Sequence, residues 1–354
     1  MKKRKWIKRI LIAVAVIAVL ICIIAYGITH SLMKQNFGRG EYSVYSYGYR
    51  YSDYENEYPR RQVSFQSGEN TLYGYVYGEE NEKGLVVFSH GIGGGHEGYL
   101  KEILWFVDQG YSVFAFDNTG SCESEGEGTT GLSQSALDLN AALCFVENDA
   151  KLCDRDIFLC GHSWGGFAVT AVLNFDHDIV ASASIAGYAK PLEMIMEFAG
   201  NIMDEKMAAF AHPFIRLYNW RTFGKYAELS AVDGINKNNV PVLIIHGNMD
   251  ETISYDHASI IAKKDEITNP NVQYLTLSEA GCNGHNTIFY SKDASIYRAR
   301  LNEAYNELKE TYDGDIPEDV KKDFYENVDK ERANVPNWQM MEAIDTFFEN
   351  AAKK

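Results

Sequence analysis

Short apolar runs alternate with longer segments of helical period from about residue 62 to the C-terminus. Val63-Ser64-Phe65 and Leu72-Tyr73-Gly74-Tyr75-Val76-Tyr77 alternate as half-buried strands do, and Ser67-Gly68-Glu69-Asn70 between them has the composition of a hairpin turn. Leu85-Val86-Val87-Phe88-Ser89, Ser112-Val113-Phe114-Ala115-Phe116, Ile157-Phe158-Leu159-Cys160 and Val240-Pro241-Val242-Leu243-Ile244-Ile245 are continuous runs, the pattern of strands buried on both faces. Residues 181–186 and 272–277 add two more strands, and helices are predicted over about 99–109 and 132–148. A last helix over about 338–350 gathers Met341, Ile344, Phe347 and Phe348 on one face, which should dock on the sheet. Strands and helices in this order predict a mainly parallel sheet covered on both faces.

Two segments break the rhythm. Residues 190–237 are helical in pattern and rich in methionine and aromatic residues: Met194, Met196, Phe198, Met203, Met207, Phe210, Phe214 and Trp220. An insertion here should cover the strand ends, where ligands of such sheets bind. Its large side chains either line an adaptable apolar acyl pocket or form the insertion's own core. Residues 295–335 are strongly charged and helical, broken at Asp313-Gly314-Asp315-Ile316-Pro317, and read as a solvated surface excursion.

The N-terminus has a different character. Residues 1–9 form a basic segment with Lys2, Lys3, Arg4, Lys5, Lys8 and Arg9, and residues 10–28 carry no charge. Nineteen residues at about 1.5 Å each make a helix of about 28 Å, close to the thickness of a bilayer core. The expectation is one transmembrane anchor, with the basic end cytoplasmic and the body outside the cytoplasm at the cell membrane. Ala25-Tyr26-Gly27 supports the rival, a cleaved signal peptide and a secreted protein, but the apolar run is long for that. Residues 29–61 are polar and hold Tyr42, Tyr45, Tyr47, Tyr49, Tyr51, Tyr54 and Tyr58. They read as a linker partly packed on the domain at 62–354, with a wall- or membrane-binding aromatic patch as the other reading.

Charge and cysteine usage narrow the classes. Setting aside the six basic residues before Ile10 leaves 27 basic against 49 acidic, a balance of −22, so nucleic acid is excluded as a partner. Six cysteines are few for 354 residues and irregularly spaced, which is no disulfide framework. Cys122 and Cys282 fall on loops expected near one site, so a pair there and two free thiols both stand as readings.

Candidate chemistry centres on Gly161-His162-Ser163-Trp164-Gly165. It joins a buried strand to a helix through a turn so tight that a Cβ at Gly161 or Gly165 would strike backbone, and it lifts Ser163 to a helix N-terminus. A serine there needs a base, and the base needs a carboxylate to fix its tautomer. In sheets of this kind the acid and then the histidine follow the serine on loops just past strands. Asp250, in His246-Gly247-Asn248-Met249-Asp250, and His285, in Gly284-His285, meet that order; Glu251 or Asp256 and His257 are the rivals. Two preset N–H donors are expected for an oxyanion, from Trp164 and from Ile92 in His90-Gly91-Ile92-Gly93-Gly94-Gly95. No lysine follows that glycine run in phosphate-loop spacing, and no metal or organic cofactor is implied.

These segments, with Phe116-Asp117-Asn118-Thr119-Gly120-Ser121-Cys122-Glu123-Ser124, resemble the α/β-hydrolase superfamily in its monoacylglycerol-lipase-like and serine-aminopeptidase-like branch. The resemblance spans about 63–285 and resumes in the last helix. It implies an α/β-hydrolase fold with a helical cap at 190–237, Ser163 as nucleophile, Asp250 as acid, His285 as base, and Ile92 and Trp164 as oxyanion donors. Thr119 and Cys122 depart from the Asp-x-Arg-Gly-x-Gly-x-Ser pattern common in such enzymes, the 295–335 segment is longer than usual, and the anchor and tyrosine-rich stretch lie outside the family's domain. The function expected is a membrane-anchored serine hydrolase acting on carboxylic esters, lipase- or esterase-like, through an acyl-enzyme. A peptidase on the same triad, with Glu193, Glu197, Asp204 or Glu205 holding a substrate amine, is the alternative, and a non-catalytic anchored binding or scaffold protein the second. Composition and motifs leave the oligomeric state open.

Overall fold

The computed structural model describes residues 2–353, so Met1 and Lys354, the outer ends of the basic segment and of the domain, lie outside the described residues. Helix α1 (Lys2–Asn36) contains the stretch 10–28 and continues two turns past it. It is one helix long and apolar enough to cross a membrane, and its apolar window is not buried at all within the fold. Only its last turns touch the body, where Met33 is buried in the core.

The body is built on eight strands: β1 (Arg60–Ser67), β2 (Asn70–Tyr77), β3 (Leu85–Ser89), β4 (Ser112–Phe116), β5 (Ile157–His162), β6 (Ala181–Ile185), β7 (Val242–Gly247) and β8 (Val272–Leu277). Their order is β1-β2-β4-β3-β5-β6-β7-β8, antiparallel where β2 meets β1 and β4 and parallel elsewhere. Side chains alternate across each strand, so the continuous apolar runs feed two cores. Val87 and Leu159 point to the side of α3 (Gln134–Val146), α4 (Trp164–Ala171) and, further on, α7 (Ala231–Lys237). Phe88, Phe158 and Cys160 point to the side of α2 (Leu100–Asp108) and α11 (Trp338–Ala352), where Met341, Ile344, Phe347 and Phe348 dock as their shared face required.

The segment 190–237 forms α5 (Pro191–Ile202), α6 (Glu205–Phe223) and α7. Neither expectation for its large side chains holds throughout. Met194 is buried, but Phe198, Met207, Phe210 and Trp220 face outward, 48% to 63% exposed. The charged excursion forms α8 (Lys292–Thr311), α9 (Glu318–Glu326) and α10 (Lys330–Ala333).

The tyrosine-rich stretch packs closely on the body. The Gly40 and Cys122 N–H groups donate to the carbonyls of Gly120 (2.9 Å) and Gly40 (2.8 Å). The Arg39 guanidinium donates to the carbonyls of Ser124 (3.1 Å) and Gly126 (2.7 Å). Tyr45 and Tyr47 stack on Tyr325 of α9, with centroids 5.3 and 5.4 Å away. Cys122 and Cys282 are both free thiols, so the pairing considered for them does not form. Cys282 is buried beside Ser295 (3.9 Å), while the Cys122 thiol is hydrogen-bonded with Tyr42 and lies near the Asp117 carboxylate.

Candidate active site

The turn between β5 and α4 holds its serine in a conformation few L-residues adopt: Ser163 has φ 56° and ψ −112°. Packing enforces it. A Cβ on Gly165 would lie 1.9 Å from the Ser89 carbonyl oxygen, and one on Gly161 would lie 2.4 Å from that of Gly165. The Ser163 N–H is fixed to the Ile185 carbonyl of the neighbouring β6 (2.8 Å). The side chain therefore projects beyond the C-terminal ends of the parallel strands, at the N-terminus of α4.

Asp250 and His285 reach the same point from the loops after β7 and β8. Ser163 Oγ lies 2.9 Å from His285 Nε2, and His285 Nδ1 lies 2.8 Å from Asp250 Oδ2. With Nδ1–H donating to the carboxylate, neutral His285 presents Nε2 as the acceptor facing the serine hydroxyl. All three residues are at least nine-tenths buried. The Asp250 carboxylate is heavily solvated by protein. Oδ1 accepts the N–H groups of Thr252 and Ile253 (both 2.8 Å), and Oδ2 also meets His246 Nε2 at 3.2 Å. Burial alone would raise its pKa, but these donors, led by His246 and His285, hold it well below the usual carboxylate range.

The rival residues sit elsewhere. Asp256 and His257 are exposed, and Glu251 accepts the backbone N–H of His285 (3.0 Å), holding its loop without touching the imidazole. Of the four carboxylates of segment 190–237 weighed for an amine, three are engaged. Glu197 accepts the N–H groups of Ser254 and Ala258 (2.8 Å each), Glu193 pairs with Lys263 (3.0 Å), and Asp204 caps α6; Glu205 is exposed.

The glycine run after β3 lies against the serine: a Cβ on Gly91 would be 3.6 Å from Ser163 Cβ. Among the described residues, neither the Ile92 nor the Trp164 N–H donates to a backbone carbonyl outside the regular elements. Trp164 is itself buried, its indole N–H donating to the Leu132 carbonyl (2.9 Å). His90 clamps the run from behind. Its Nδ1–H donates to the Gly91 carbonyl (2.6 Å) and its Nε2 accepts the Asn118 N–H (3.0 Å), the tautomer of an imidazole that burial keeps neutral.

Sequence reasoning missed the groups that tie these loops together. His162, deep under the site, donates from Nε2 to the His285 carbonyl (3.0 Å). Burial and the neighbouring His285 hold its pKa well below normal, so its Nδ1 stays an acceptor, for the Tyr99 hydroxyl at 2.8 Å. Tyr99 in turn accepts the Gly91 N–H (3.1 Å). One unbroken chain, Gly91 to Tyr99 to His162 to His285, thus joins the glycine run to the histidine loop. Tyr99 stands at the start of a predicted helix and His162 inside the serine motif; no local pattern distinguishes them from ordinary core residues. Tyr42 of the tyrosine-rich stretch closes the far side, accepting the Glu97 N–H (2.8 Å). Between Tyr42, Tyr49, the glycine run and Phe289 opens a cleft of about 340 Å³.

Comparison with known proteins follows the same outline. A family model described as serine aminopeptidase matches residues 80–213. The chain is 22% identical over 248 residues to the uncharacterized protein YqkD of Bacillus subtilis, covering 68% of this chain and 77% of that one. Among solved structures, an esterase of Pyrococcus furiosus superposes with a TM-score of 0.51 at 16% identity, over 78% of this chain and 98% of its own. An alpha-beta hydrolase of Vibrio vulnificus superposes with a TM-score of 0.51 at 16% identity, over 75% and 96%. The acylaminoacyl peptidase of Pyrococcus horikoshii gives a TM-score of 0.50 at 17% identity, over 71% of this chain and 42% of its own.

Proposed function

We propose that this chain, an α/β-hydrolase by its fold and its family match, is a membrane-anchored serine hydrolase that cleaves carboxylic esters outside the cytoplasm. The observation that carries the reading is the unbroken line of hydrogen bonds from Ser163 through His285 to Asp250. In the mechanism proposed, His285 Nε2 takes the Ser163 proton as Oγ attacks the acyl carbonyl, and Asp250 stabilises the imidazolium that forms. The oxyanion accepts hydrogen bonds from the N–H groups of Ile92 and Trp164. Collapse of the tetrahedral intermediate expels the alcohol, protonated by His285, and leaves an acyl-serine. Water, deprotonated by the same histidine, then attacks the ester carbon and releases the acid. Ester is preferred to peptide because three of the four cap carboxylates weighed for an amine are committed to capping, loop support or ion pairing.

A fluorophosphonate probe tests this on the full chain in detergent, since cutting at residue 33 would remove α1 packing from the body. Labelling that disappears in Ser163→Ala and His285→Ala is expected. A folded parent that neither reacts nor hydrolyses short-chain esters would overturn the enzyme reading in favour of an anchored scaffold.

A further inference from the structure

The outward-facing side chains of the cap are not scattered. On α6, Met207, Phe210, Phe214 and Leu217 recur at helical spacing along one face, with Trp220 at its edge. Phe210, Leu217 and Trp220 are 55%, 41% and 63% exposed, and Phe198 and Ile202 at the end of α5 extend the patch. A contiguous apolar stripe of this size marks an interaction surface. Residues 191–228 carry four basic side chains, all on α6 and the turn after it, against five acidic ones, of which Glu193 pairs with Lys263, Glu197 accepts backbone N–H groups and Asp204 caps α6. Arg216 pairs with Glu228, leaving Lys206, Arg221 and Lys225 around the stripe.

What covers the stripe is indicated by its neighbour. The buried side of α6 rests on the body, and beside the stripe it meets α1: His30 of α1 packs edge-on against Tyr218, with centroids 5.7 Å apart. The Arg221 guanidinium lies 6.0 Å from the ring centre of Tyr26, inside the last turn of the uncharged stretch 10–28. Little slack separates the two. From Ile28 the helix runs on to Asn36, a rise of about 12 Å, and residues 39 and 40 are already bonded to the 120–126 loop. A helix joined this way orients the whole body.

We propose that the α5–α6 face is a membrane-docking surface, lying in the headgroup layer of the bilayer that α1 spans, with its apolar stripe toward the acyl chains and its basic residues toward anionic lipid headgroups. The proposal rests on the anchor reading of α1. Trp220, Tyr26 and Arg221 then share one level, where amphipathic aromatic and basic side chains are most stable. The outward turn of the cap's aromatic residues, which neither a pocket nor a core explains, follows from the same arrangement.

The five tryptophans allow a direct test. The full chain is placed, one copy per disc, in nanodiscs of phosphatidylcholine and phosphatidylglycerol in equal parts, with either ordinary or chain-brominated lipid. Emission of the parent is compared with that of Trp220→Phe and of Trp6→Phe. We expect brominated lipid to remove roughly half or more of the Trp220 contribution, as for a side chain at the acyl boundary, and Phe210→Ser with Leu217→Ser to restore most of it. Quenching of Trp6 without quenching of Trp220 leaves α1 in the membrane and overturns docking. If neither is quenched, the anchor reading fails and docking with it. One copy per disc excludes a second copy of the chain as the cover.

Discussion

Replacing Asp250 with Asn keeps its shape and removes what the site most depends on. In the parent, Oδ1 accepts two backbone N–H groups and Oδ2 accepts His285 Nδ1–H, with His246 Nε2 at 3.2 Å. The asparagine oxygen can keep the backbone pair, which places its NH₂ opposite two imidazole donors. His285 relieves the clash by moving its proton to Nε2. The nitrogen facing Ser163 Oγ then carries hydrogen and cannot accept the serine proton, and no carboxylate stabilises the imidazolium. A wrong tautomer of this kind lowers kcat by about 10⁴-fold, or about 5.5 kcal/mol in the barrier. Ground-state binding involves none of these atoms, so KM should stay within a few-fold of the parent. Steady-state hydrolysis of p-nitrophenyl butyrate, with the fluorophosphonate labelling rate as a second readout, measures both. A folded Asp250→Asn protein that keeps kcat within about tenfold of the parent would refute the tautomer argument, and with it Asp250 as the orienting acid.

The loop-tying chain predicts that Tyr99→Phe, which leaves the Gly91 N–H and His162 Nδ1 without their buried partner, costs about 2–4 kcal/mol of stability. The same variant should lower kcat more than it raises KM; urea unfolding and ester kinetics check the two halves, and an unchanged midpoint would show that the chain carries no energy. A second prediction concerns acid. Asp117 is buried, and although burial alone would raise its pKa, its bonds from His96 (Nδ1 at 2.9 Å, N–H at 2.8 Å) hold it low. A folded pKa below the unfolded value of about 3.9 gives stability that is present above that pH and lost as pH falls through the folded pKa. Asp138, buried and shifted upward, contributes with the opposite sign, so the total acid limb mixes the two. The difference in melting temperature between parent and Asp117→Asn isolates Asp117, and should shrink as pH falls from neutral through 4 and below; a constant difference would contradict the assignment.

Much of the molecule is determined by the sequence directly. The sheet is legible because strands buried on both faces must be continuously apolar, and the serine corner because only glycine fits where a Cβ would lie 1.9 Å from a carbonyl oxygen. Asp250 and His285 stand out because each follows a strand, buried β7 and the half-exposed edge strand β8, in the order expected for sheets of this kind. The N-terminal helix is legible from nineteen uncharged residues, an intrinsic property that needs no partner. Other features are decided only by tertiary structure, since they depend on residues far apart in the chain. The two thiols of Cys122 and Cys282 lie on loops that sequence could place near one site but could not orient, and each found its own neighbour. Tyr99 and His162 are separated by more than sixty positions, and become a bridge only when β3 and β5 pair and bring their loops together. The aromatic residues of α5 and α6 have the same hydrophobic period whether they face a pocket, a core or a bilayer. Periodicity fixes which side chains share a face, but only the packing of α6 against α1 and the body decides which way that face looks.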